Sequence, residues 1–104
     1  MKKIYIAGKI TGLPIPEVEK KFSAAQKEVE AQGLIAINPI EVVGNWECDW
    51  KTAMKLCVKA LIDCDAILLL PCWMDSKGAM IEQKIASDLG IKSLIGTKEL
   101  KINI

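Results

Sequence analysis

Between Ala66 and Leu70 the chain reads Ala-Ile-Leu-Leu-Leu and is closed by Pro71, and this short apolar run limits the fold more than any other feature. A run without polar alternation is what a strand needs when helices cover both faces of a parallel sheet. A helix follows it. Ser76 can cap that helix, Gly78 leaves room for close backbone approach, and an apolar stripe of Ile85, Ala86 and Leu89 precedes Gly90 as the C′ residue. Counting back three, four and seven residues from the stripe reaches Glu82 each time, which places a carboxylate on the inward face of the helix. Helical side chains tilt toward the N-terminus, so this one aims at the carboxyl end of the preceding strand, where open α/β sheets bind ligands. Two readings stand side by side: a glutamate at the rim of the stripe reaching water or a lysine, or a catalytic or ligand-binding group.

The same grammar repeats along the chain. Lys3 to Ala7 is β-rich and empties into Gly8-Lys9-Ile10-Thr11-Gly12-Leu13-Pro14, a turn-forming loop. Pro16 opens a long helix with Val18, Phe22, Ala25 and Val29 on one face, stopped by Gly33. Leu34 to Ile37 form a second strand ended by Asn38-Pro39, and residues 40–49 read as an irregular loop. Met54, Cys57, Val58 and Leu61 then mark the inner stripe of another helix, and Lys92 to Ile95 a fourth strand; Leu100 to Ile104 could add a fifth at the edge.

Strand and helix alternate throughout, which predicts one α/β domain over residues 1–104 with right-handed crossovers. The expected architecture is a flavodoxin-like (Rossmann-like) three-layer sandwich with a parallel sheet of four to five strands in the order 2-1-3-4, with a possible fifth. Its switch point lies between strands one and three, so the Gly8–Gly12 loop and the Glu82 helix face one crevice.

Composition removes several function classes. Fourteen basic and thirteen acidic residues without a basic stripe give no electrostatic footprint for nucleic acid. Cys48, Cys57, Cys64 and Cys72 stand nine, seven and eight residues apart with no histidine in the chain, which argues against a metal site and removes every Ser-His or Cys-His pair. They read as reduced thiols. Lys9 interrupts the first apolar run too soon for a secretory signal, and Ala66–Trp73 is too short to span a bilayer. The expectation is a cytoplasmic protein without cofactor, metal or membrane partner. An apolar fraction of 51% in 104 residues makes self-association into a homo-oligomer a further expectation.

Gly8-x-x-x-Gly12 is neither the dinucleotide fingerprint nor a P-loop, and turn chemistry alone can explain it. A receiver domain would need acidic residues where Ala7-Gly8 and Leu70-Pro71 stand, and a flavodoxin more hydroxyls than Thr11. Trp73, just past strand three, can stack on a planar base or cover the sheet edge. Tyr5 either packs in the core or hydrogen bonds to Glu82. Asp65 enters the sheet at the end opposite the crevice and reads as a structural cap.

Taken together, Ile4-Tyr5-Ile6-Ala7-Gly8-x-Ile10-Thr11-Gly12, Asn38-Pro39, Cys64-Asp65-Ala66, Leu70-Pro71-x-Trp73 and Ser76-Lys77-Gly78-Ala79-x-x-Glu82 resemble the nucleoside 2-deoxyribosyltransferase-like proteins, in particular a small bacterial and phage branch. The resemblance spans nearly the whole chain. It implies that Glu82 is a nucleophile attacking C1′ of a 2-deoxyribosyl group, with Tyr5 holding the carboxylate. It also implies that Gly8, Lys9, Ile10, Thr11 and Gly12 lie along the sugar and any 5′-phosphate, with Asn38 nearby and Trp73, Ser76 and Gly78 completing the substrate site. Ser76 stands where the transferases carry an aspartate, as in the related deoxynucleoside 5′-monophosphate glycohydrolases. Cys57 stands where the family usually has an aspartate that assists the leaving base, and Thr11 where phosphate-binding relatives have an arginine. Relatives often complete the pocket from a neighbouring subunit, for which the 40–50 loop is the candidate here. The implied ligand is a nucleoside or nucleotide, cleaved or exchanged at its N-glycosidic bond, or bound without turnover.

Overall fold

The computed structural model describes residues 2–100. Four parallel strands, β1 (Lys3–Ala7), β2 (Ile35–Ile37), β3 (Ala66–Leu69) and β4 (Lys92–Ile95), form one sheet in the order β2-β1-β3-β4. Four α-helices, α1 (Ile15–Ala31), α2 (Pro39–Val43), α3 (Trp50–Leu61) and α4 (Lys77–Asp88), flank it. This is the flavodoxin-like three-layer α/β fold. The two central strands are wholly buried where they pair, with Tyr5 opposite Ile67 and Ala7 opposite Leu69.

The period-2 alternation of β1 and β3 divides the core into two layers. Ile4, Ile6, Ala66, Leu68 and Leu70 pack with the α1 stripe of Val18, Phe22, Ala25 and Val29. Tyr5, Ala7, Ile67 and Leu69 pack on the other face with Cys57 and Leu61 of α3 and with Ala79 and Ala86 of α4. Glu82 belongs to the inward stripe of α4 and is buried. Asp65 accepts the Lys3 backbone N–H at 2.8 Å, a cap that ties β3 to β1 at the end away from the crevice.

Four local expectations are corrected. Residues 40–49 are not wholly irregular, because α2 occupies the first part: Asn38 accepts the Ile40 N–H at 2.9 Å as N-cap, and Pro39 takes the first helical position, where its missing N–H does no harm. Leu89 does not continue the inward stripe of α4 and is 58% exposed. The helix has already ended in a Schellman turn, with Gly90 N–H bonded to Ser87 O and Ile91 N–H to Ala86 O. That turn brings Ile91 onto Ile85 and Ala86 in place of Leu89. On α3, Met54 and Val58 are only half-buried, the stripe being anchored by Cys57 and Leu61. Leu100 follows a short 3₁₀ turn, Thr97–Glu99, in helical conformation and is buried against the α1 layer, not in a fifth strand; residues 101–104 of that expected strand lie outside the described residues.

Candidate active site

The loops leaving β1 and β3 open beside each other at the carboxyl end of the sheet, and a cleft of about 360 Å³ lies there. Its floor is Tyr5 of β1 and Glu82 of α4. The β1 loop contributes Gly8, Ile10 and Thr11, the start of α4 contributes Ser76, Gly78 and Ala79, and α2 with α3 supplies Ile40, Val43, Met54 and Cys57. Trp46, Cys48 and Trp50 form the mouth on the α3 side.

Glu82 is 6% exposed, and its Oε2 accepts the Tyr5 hydroxyl at 2.6 Å across 77 residues of sequence. A bond this short is what a phenol makes to a carboxylate. Burial pushes the Glu82 carboxyl up to about 7, and the Tyr5 hydroxyl offsets only part of that rise. Tyr5 itself is raised, by burial first and then by the adjacent Glu82 charge, so its proton stays on oxygen. Cys57 adjoins the same hydroxyl, and burial lifts its thiol to about 11. Among the described residues Glu82 is the sole acidic side chain lining the cleft, and no lysine or arginine lines it.

Local sequence explains how these groups are held. Ser76 accepts the Ala79 N–H at 3.1 Å and starts α4 at the crevice. A Cβ on Gly78 would stand 3.0 Å from Met54 Sδ, so the small residue lets α4 close on α3. On Gly8 a Cβ would stand 3.0 Å from Leu70 Cδ1 and 3.1 Å from its Cβ, and the bare backbone is what lets the loop pass Leu70 just beyond β3.

The cleft brings together Glu82, Tyr5, Gly8, Ile10, Thr11, Ser76 and Gly78 of the residues singled out from sequence. Lys9, Gly12, Asn38 and Trp73 do not line it. Lys9 turns its N–H to Cys72 Sγ at 3.2 Å and its carbonyl to Lys21 Nζ at 2.7 Å. Lys21 of α1 also reaches Cys72 Sγ at 3.0 Å. Burial raises that thiol, but the Lys21 ammonium and the Lys9 N–H together bring it below its ordinary value. Gly12 forms the loop's turn at φ 87°. Asn38 spends its side chain on the α2 cap and on Gln26 Oε1, 3.1 Å away. Trp73 lies half-buried against the α3 and α4 layer. The sequence reading missed Trp46, Cys48 and Trp50 as lining residues; their signal was the pair of tryptophans flanking the Asp49 cap of α3.

A family model described as Domain of unknown function (DUF4406) matches residues 2–95. The chain belongs to this family. The matched span runs from before β1 to the end of β4, so every residue of the cleft falls inside the family's domain. No curated protein matches the chain. Among the described residues no helix is long and apolar enough to cross a membrane, and no group of three or more His, Cys, Asp or Glu side chains could hold a metal ion. All four cysteines are free.

Proposed function

We propose that this chain cleaves or transfers the N-glycosidic bond of a 2′-deoxynucleoside or its 5′-monophosphate through a covalent glycosyl ester on Glu82, as its resemblance to the nucleoside 2-deoxyribosyltransferase-like proteins implies. The observation that carries the proposal is a buried carboxylate on the cleft floor with one oxygen tied to Tyr5. With Oε2 engaged, Oε1 is left to attack C1′, and the phenol keeps the carboxylate from rotating during attack. The base leaves from the opposite face of the sugar, and water or a second base then opens the ester with overall retention. Gly8, Ile10 and Thr11 border the sugar, and Ser76 with Gly78 borders its 5′ side.

A carboxyl held near 7 is ionised, and so nucleophilic, in a fraction that grows as pH rises through neutrality. Turnover should rise over the same range. The test is to incubate the protein with 2′-deoxynucleosides, their 5′-monophosphates and an N7-methylated purine deoxynucleoside, and to follow free base by chromatography against Glu82→Gln. Release from at least one compound that the substitution abolishes supports the proposal, and release equal in both proteins for every compound overturns it.

One observation favours a second reading, a nucleotide-binding module without turnover. Cys57, a weak proton donor with its thiol raised to about 11, occupies the place from which a leaving base would be assisted. Thermal stabilisation by the ligands without base release separates this reading from the first. The same proposal includes a reduced, cytoplasmic, self-associating protein, supported by the four free thiols and by Trp50, Met80 and Ile81 exposed on α3 and α4; sedimentation gives the subunit number.

A further inference from the structure

Resting on the glycosidic reading, we infer that the substrates are N-glycosides whose heterocycle already carries a positive charge, such as an N-alkylated purine or a pyridinium.

Without a proton a neutral base must leave as its anion, a poor leaving group, and glycosidases normally place a second carboxyl group to supply that proton as the bond breaks. Among the described residues of one subunit this cleft has none: its ionisable lining groups are Tyr5, Cys48, Cys57 and Glu82. The Tyr5 proton is committed to Glu82 at 2.6 Å, and the Cys57 thiol is a weak donor. Glu82 cannot serve both as nucleophile and as acid in the same step. The two alcohols lining the cleft, Thr11 and Ser76, are far weaker acids than a carboxyl group, and Ser76 Oγ already caps α4.

A cationic heterocycle removes the requirement. Glu82 Oε1 forms a bond to C1′, the C1′–N bond breaks, and its electron pair moves onto the ring nitrogen, cancelling the ring's charge so that a neutral heterocycle departs. Water then adds to C1′, the ester C1′–O bond breaks, the carboxylate is restored and one proton passes to solvent. No general acid enters either step.

The electrostatics of the cleft agree with this ligand. Among the described residues an ionised Glu82 is the only formal charge lining the cleft. Two indoles stand at the mouth, Trp46 at 43% and Trp50 at 44% exposure, and indole faces attract flat cations. Lys77 Nζ already occupies the Trp50 ring, 4.9 Å from its centroid, so the indole open to a cationic heterocycle is Trp46. Trp46 has no such partner among the described residues.

The experiment has a binding arm and a turnover arm. At pH 8, 1-methylnicotinamide, which is cationic, should bind about tenfold more tightly than neutral nicotinamide, and the preference should shrink in Glu82→Gln to what the indole alone supplies. Equal affinities, or a preference for nicotinamide, overturn the inference without touching the glycosidic reading. In the second arm, N7-methyl-2′-deoxyguanosine and 2′-deoxyguanosine are compared, each above its own Glu82→Gln background. The neutral compound should have a kcat/KM lower by a factor of about 100 to 10,000, the worth of a missing general acid. Comparable values mean that a proton donor exists and overturn the inference alone. Release from neither compound overturns this inference, whereas the glycosidic reading falls only if none of the nucleosides and 5′-monophosphates releases base.

Discussion

Replacing Glu82 by glutamine should make the protein more stable, and only on the alkaline side. The carboxyl is raised from 4.5 to about 7 by burial, a difference of about 2.5 units, and at 1.36 kcal/mol per unit this is about 3 kcal/mol. Below pH 4.5 the folded and unfolded chains both hold the proton, and the side chain carries no penalty. Between 4.5 and 7 the unfolded chain releases its proton while the folded chain keeps it, so stability falls as pH rises. Above about 7 the folded protein holds a buried charge and the full loss is present. Glutamine has the shape of the protonated acid, can still accept from Tyr5, and never ionises. The variant should therefore exceed the parent by about 3 kcal/mol at pH 8 and match it at pH 4, a shift on the order of 10–20 °C in Tm at pH 8 for a domain of this size. Urea and thermal unfolding followed by circular dichroism at both pH values make the comparison. A variant no more stable at pH 8, or a gap that persists unchanged at pH 4, would refute the idea that burial strains this carboxylate. A stabilising substitution at the cleft floor is the mark of a group kept for chemistry at a cost in stability.

Three further outcomes follow from the geometry. Tyr5→Phe removes the one side-chain hydrogen bond that lowers the Glu82 carboxyl; its titration midpoint should rise by about 1–2 units, the worth of a hydrogen bond to a charged group, as read by carboxyl NMR, and an unchanged midpoint would contradict the bond. Asn38→Ala should cost about 1 kcal/mol in urea unfolding through the lost α2 cap while leaving ligand affinity within twofold, because Asn38 does not line the cleft; a larger affinity loss would restore it to the binding site. Gly8→Ala forces a methyl to within 3.0 Å of Leu70 Cδ1 and should destabilise by about 1–3 kcal/mol, whereas a neutral result would mean that the β1 loop has slack.

Sequence alone determined what short-range physics encodes. The unbroken apolar run at Ala66–Leu70 required a strand buried on both faces, and the glycines at 33 and 90 ended α1 and α4 where the backbone needs positive φ. The 3.6-residue period put Glu82 on the inner face of α4, and the alternation of elements led to the 2-1-3-4 sheet. Tertiary structure decided everything that depends on which distant groups arrive at the same point. Tyr5 and Glu82 meet because β1 and α4 converge over the switch point, and no local pattern spans their 77 residues. The tryptophans at 46 and 50 became the mouth of the cleft because α2, itself unread in the sequence, turns that segment inward. Leu89 gave way to Ile91 because a Schellman turn, not the helical period, governs the last residues of α4. Lys9 and Asn38 do not line the cleft: the Lys9 backbone is bonded to Cys72 and Lys21, and the Asn38 side chain caps α2 and donates to Gln26. Periodicity fixes the face from which a side chain points, whereas its partner is chosen by the packing of elements that sequence neighbours do not control.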